Sequence, residues 1–207
     1  MNTSTASLPS YKSPSHTSHR YKALVIGVSA GGLQALASII PLLPADFPLP
    51  IIIVQHRKML PYDYLAPYLD ELSKLSVISA ALHAPILPGY VYIAPSGYHL
   101  LVERSETLSL SIDAKVNFSI PSIDVLFESA AICYQEHLIG LILTGANSDG
   151  SLGLQSINLS HGLSLVQQPE TAEFPAMPLA AIEASQIDYI IPLSEIASFL
   201  ITLVMSK

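Results

Sequence analysis

The chain has 207 residues, half of them apolar and 12% charged. That is enough for one domain with a full hydrophobic core, and too apolar for a disordered protein. A net charge of −7 with no dense Lys/Arg cluster argues against a nucleic-acid partner. No apolar run reaches the roughly 18 residues of a membrane span, so no membrane insertion is expected. The single cysteine, Cys133, excludes an intramolecular disulfide and a multi-cysteine zinc site. A cytoplasmic location is expected.

Residues 1–20 hold nine Ser or Thr and no apolar block, as expected of a mobile tail and not of a signal peptide. Residues 21–207 are expected to form a single domain. ALVIGV (23–28) is a continuous apolar run, as a strand buried on both faces should be. LQALASIIPLL (33–43) follows as a helix, PIIIVQ (50–55) as a second buried strand and YDYLAPYLDELSKL (62–75) as a second helix. LSVISA (75–80) is a weaker strand. YVYIAPSGYHLLVERSETLSLSI (90–112) offers two or three short strand-like runs and reads as an antiparallel insertion or edge. PSIDVLFESAAICYQE (121–136) predicts a helix with Pro121 near its first turn. HLIGLILTG (137–145) is the third strong strand, followed by a helix at 149–161. GLSLVQ (162–167), a helix at 174–185, IDYIIP (187–192) and a buried terminal helix at 194–205 complete the order. Such alternation predicts an α/β fold: a doubly wound, mostly parallel sheet with helices on both faces and an antiparallel β-hairpin insertion.

Gly27-Val28-Ser29-Ala30-Gly31 fits the G-x-S-x-G pattern where a buried strand enters a helix. Glycines suit a tight turn that leaves the serine hydroxyl projecting near free helix N–H groups. Ser29 is therefore a candidate nucleophile, with a simple helix cap as the competing reading. The same glycines also fit a dinucleotide loop. That loop expects an acidic residue about 20 positions on, where this chain has Gln55-His56-Arg57.

His56 directly follows an expected central strand, at the edge where open α/β sheets bind ligands. The other histidines are placed less suggestively. His16 and His19 fall in the tail, His83 and His99 near the insertion, His137 at a strand start and His161 at a helix end. Asp149 lies in LTGANSDGSLG (143–153), after the third strong strand. Its competing reading is an N-cap or turn aspartate for the following helix. Asp124 is read as capping the first turn of its own helix, and Asp46, Asp63 and Asp188 follow no strong strand. Ser29, His56 and Asp149 each follow a different strong strand, so a parallel sheet would bring them to one edge, where Ser–His–Asp chemistry becomes possible. Their chain order differs from that of the α/β-hydrolases.

GVSAGGLQAL, PLLPADFPLPIIIVQH, VYIAPSGYHLLV, PSIDVLFESAA, LTGANSDGSLGL and MPLAAIEASQIDYIIPL resemble, in order, the catalytic domain of the CheB-type chemotaxis methylesterases, over roughly residues 22–204. The resemblance implies hydrolysis of glutamyl methyl esters on chemoreceptors, with deamidation of receptor glutamines as a second activity. It implies Ser29 as nucleophile, His56 as base and Asp149 as the acid that orients it. The backbone N–H groups of Ala30 and Ala146 are then candidates for an oxyanion hole, with Gly31 and Gly32 permitting close approach. No cofactor or metal is expected.

The chain departs from the family pattern at Ala30, where threonine is usual, and at Ala146, where methionine is common. Arg57-Lys58-Met59-Leu60-Pro61 replaces a Met-Pro-Pro-like turn, and Asn117-Phe118-Ser119-Ile120 replaces an Asn-Arg-His-like run. About 20 residues before the first strand are too few for the family's receiver domain. Control by a separate receiver or signalling protein, or constitutive activity, is expected in its place. A catalytically weak adaptor of the same fold and a dinucleotide-binding oxidoreductase are the alternative functions.

Overall fold

A computed structural model describes residues 21–57 and 63–206. The expected tail at 1–20 and the segment Lys58-Met59-Leu60-Pro61 lie outside the described residues. In chain order the elements are β1 (Ala23–Val28), α1 (Gly32–Ile39), β2 (Ile51–Gln55), α2 (Leu65–Leu72), β3 (Ser76–Ser79), β4 (Tyr90–Ile93), β5 (His99–Val102) and β6 (Leu108–Ser111). Then follow α3 (Ile123–Tyr134), β7 (Leu138–Ile142), α4 (Ser151–Leu159), β8 (Leu163–Gln167), α5 (Ala176–Ala184), β9 (Tyr189–Ile191) and α6 (Ile196–Met205).

Seven strands form one sheet in the order β3-β4-β2-β1-β7-β8-β9, every pair parallel. β5 and β6 make a separate antiparallel hairpin. The stretch at 90–112 therefore divides, contrary to its reading as one antiparallel unit. YVYI enters the parallel sheet between β3 and β2 because its alternate residues have apolar layers to enter on both sides; only the later runs pair as a hairpin.

Period-2 alternation separates the two layers. Leu24, Ile26, Ile51 and Ile53 pack against α1, α2 and α6. Val25, Ile52 and Val54 pack against α3, α4, α5 and the hairpin. Every residue of β1 and β7 is buried, which explains why these strands read as unbroken apolar runs.

The sheet reverses direction between β1 and β7. From β1 the chain builds toward β2, and from β7 it builds toward β8 and β9. Ligands of doubly wound sheets bind at such a switch point, outside the carboxyl ends of the strands.

Candidate functional site

The three strongest strands deliver the three predicted residues to this edge. Ser29 follows β1, and its N–H donates to the carbonyl of Thr144 beyond β7 at 3.0 Å. His56 follows β2, and its N–H donates to the carbonyl of Val28 at 3.0 Å. The loops after β1, β2 and β7 are thus stitched by backbone hydrogen bonds that continue the parallel ladders. Gly31, with φ 75°, is the N-cap of α1 and no side chain caps that helix. Ser29 is therefore not the cap that one reading made it, and its half-buried hydroxyl makes no hydrogen bond to any described residue.

His56 Nε2 lies 2.7 Å from Asp149 Oδ2. Asp149 is fully buried and receives four further donors. Ser122 Oγ (2.8 Å), Asp124 N (3.2 Å) and Asn117 Nδ2 (3.2 Å) bond to Oδ1, while Ile123 N (2.7 Å) bonds to Oδ2. Burial alone would raise this carboxyl's pKa. The bonds from His56, Ile123 and Ser122 and the nearness of His56 outweigh it and lower the pKa to about 2. Asp149 is therefore ionised at neutral pH and faces the proton-bearing nitrogen of His56. The other ring nitrogen, Nδ1, is left as the basic one, 3.5 Å from Asn147 Nδ2.

Two aspartates exchange the capping roles expected of them. Asp149 does not cap the helix that follows it, since the N-cap of α4 is Gly150 at φ 96° with no side-chain bond. Its carboxylate instead accepts the first N–H groups of α3, whose macrodipole favours an anion there. Asp124 does not cap its own helix either; it accepts Gly153 N in α4 at 2.7 Å and Asn117 Nδ2 at 2.7 Å. Burial first, then the neighbouring Asp149 and Glu128, raise the Asp124 carboxyl to about 6, against the opposing bonds from Gly153 and Asn117. Pro121 directly precedes the N-cap, Ser122, and so lies beside the first turn.

Sequence reasoning missed several supporting residues. His99, near the insertion and nearly fully buried, accepts Ser122 N on Nδ1 at 3.2 Å and bonds Ala114 O through Nε2 at 3.1 Å. Thr144 Oγ1 donates to Ala30 O at 2.9 Å and accepts Phe174 N at 2.9 Å, while Thr144 N donates to the buried Gln167 Oε1 at 2.9 Å. Burial is what demands partners for these polar side chains, and it arises only in the fold. Gly145 N is committed to Phe174 O. The N–H groups of Ala30 and Ala146 donate to no described residue. Among the described residues no group of His, Cys, Asp and Glu could hold a metal ion, and no helix is long and apolar enough to cross a membrane.

A cavity of about 510 Å³ opens beside His56, lined also by Arg57, Gly97, Lys115, Phe118 and Ser119. A second of about 490 Å³ lies between Gln55, Arg57, Tyr64 and Tyr68. Arg57 borders both, ion-paired to Asp63 and donating to Ala94 O at 2.9 Å.

Fold and edge together define a class: a doubly wound α/β protein that presents a glycine-flanked serine, a histidine and a buried aspartate at its switch point. The chain belongs to the CheB methylesterase family, whose pattern matches residues 24–200. It is 49% identical over 183 residues to a Leptospira interrogans protein provisionally named protein-glutamate methylesterase/protein-glutamine glutaminase, covering 88% of this chain and 95% of that one. It is 37% identical to a Symbiobacterium thermophilum protein-glutamate methylesterase/protein-glutamine glutaminase, covering 84% of this chain but 48% of that one. The Thermotoga maritima CheB methylesterase catalytic domain has the same fold, with a TM-score of 0.85, 36% identity, and coverage of 89% of this chain and 99% of that one.

Proposed function

We propose that the chain is a serine esterase that hydrolyses glutamate methyl esters, and deamidates glutamines, on chemoreceptor-like proteins. The observation that carries this reading is the 2.7 Å contact between His56 and a buried, ionised Asp149 at the strand edge that also ends in Ser29. The names of its relatives supply the substrate class.

Ser29 Oγ attacks the ester carbonyl while His56 Nδ1 takes its proton. Asp149 holds the ring by Nε2 and stabilises the charge the ring gains. The unengaged N–H groups of Ala30 and Ala146 stabilise the oxyanion, with Gly31 and Gly32 leaving the substrate room to approach. His56 returns the proton to the leaving methanol. Water then adds to the acyl-enzyme by the same route and releases a glutamate side chain. For a glutamine substrate the leaving group is ammonia.

Residues 21–207 act as one catalytic domain in the cytoplasm, where the signalling portions of chemoreceptors are reached. A separate receiver or signalling protein is the proposed regulator. The test is methanol release from methylated receptor membranes by wild type and by Ser29→Ala. Release that is lost with the hydroxyl is expected, and equal release by the two proteins would overturn the serine mechanism.

A further inference from the structure

Among the described residues, Asn117 is the one that joins the exposed surface to both buried carboxylates. It lies at the tip of a tight turn closed by Val116 N to Ser119 O (3.2 Å) and Ser119 N to Val116 O (2.8 Å). Asn117 and Phe118 have φ of 49° and 62°. Two successive left-handed residues are the pattern of a type I′ turn, which asparagine enters at little cost and phenylalanine does not. The Phe118 side chain is almost wholly in solvent and lines the cavity beside His56.

From this turn the Asn117 amide reaches inward. Its Nδ2 donates to Asp124 Oδ2 at 2.7 Å and to Asp149 Oδ1 at 3.2 Å, one hydrogen for each carboxylate. No hydrogen bond joins the two carboxyl groups directly. Without the amide, two buried carboxylates would face one another, and like charges in a low dielectric cannot both remain ionised. A proton would then be shared between them, or Asp149 would turn away from His56.

We infer that Asn117 is a positioning residue for the His56–Asp149 pair, its amide separating Asp149 from Asp124 so that Asp149 remains an ionised, correctly aimed acceptor for the His56 ring. At Asn117-Phe118-Ser119-Ile120 the chain departs from the family's Asn-Arg-His-like run. The asparagine that remains works inward, on the acid and not on the substrate. Among the described residues, the other titratable groups around the pair include His56 itself, His99 behind Ser122, and Glu128 on α3.

This inference rests on the esterase reading only for the identity of the nucleophile, so its test reads the nucleophile directly. The rate at which a fluorophosphonate labels Ser29 is measured from pH 6 to pH 8 in wild type, Asn117→Ala and Asn117→Asp. Asn117→Ala is expected to label roughly tenfold to a hundredfold more slowly, the range for losing a hydrogen bond to a buried charge. Asn117→Asp places a third carboxyl against the pair. Its deficit relative to wild type is expected to be larger at pH 8 and to shrink toward pH 6 as that carboxyl takes up a proton. A wild-type rate in both variants would overturn the proposal. So would a deficit equal at every pH, which is what damaged folding alone produces. If wild type labels but releases no methanol from methylated receptors, the esterase reading fails while the role of Asn117 is still decided by the labelling rates.

Discussion

Two regions meet at the candidate site and hold their residues by different means. The strand edge, formed by the ends of β1, β2 and β7, positions Ser29 and His56 through backbone bonds that extend the sheet. The opposite wall, built from the turn at 116–119, the start of α3 and His99 of the hairpin, works through side chains. A ladder holds a backbone in place whatever side chains it carries. A network of side-chain bonds holds a charge, and each partner lost leaves another buried group unsatisfied. The edge should therefore fail abruptly at one atom, and the wall by degrees.

The largest effect is expected at the edge. Ser29→Ala or His56→Ala should reduce methanol release by a factor on the order of 10³ or more with little change in melting temperature. A loss of only severalfold would mean that the edge is not where reaction occurs. Asp149→Asn, across the contact with the wall, should cost on the order of 10²- to 10⁴-fold in kcat, because the amide offers the ring nitrogen the wrong partner. If kcat holds and KM rises instead, Asp149 acts on binding and not through His56.

Stability separates the regions in the other direction. His99→Ala should destabilise the protein by about 1–3 kcal/mol, since it orphans the buried N–H of Ser122 as well as removing a packed ring. Chemical denaturation checks this, and an unchanged midpoint would show that Ser122 N finds another acceptor.

A further effect is a change of slope with pH. Asp124 has a folded-state pKa of about 6, raised from 3.8, so the fold holds its proton more firmly than the unfolded chain does. The stabilisation this provides is complete below the unfolded value and is lost as pH rises through about 6. Between pH 4 and 7 wild type should therefore lose up to roughly 2–3 kcal/mol that Asp124→Asn does not lose. Asp149 behaves oppositely, since its stabilising ionised form is lost only as pH falls toward about 2. Parallel stability curves for the two proteins would remove Asp124 from the account.

The sequence by itself determined the layered architecture and the three residues at the strand ends. Largely apolar runs at 23–28, 50–55 and 137–145 suit central strands covered on both faces, and whatever follows such a strand lies at one edge. It also misplaced YVYI, because a four-residue run has the same local pattern in a parallel or an antiparallel pairing; the apolar layers available to its two faces decide between them.

Only the tertiary structure decided what the acids do. Asp149 and Asp124 each stand near a helix start, and local chemistry assigns each to its own helix. Packing of α3 against α4 crosses these assignments, so that each carboxylate serves the other helix. The same fold brings in Asn117 and His99, which are 32 and 50 positions from Asp149 in the chain. Partners that distant have no periodicity or spacing to announce them. They are selected by the requirement that a buried charge be satisfied, and that requirement exists only once the chain has folded around it.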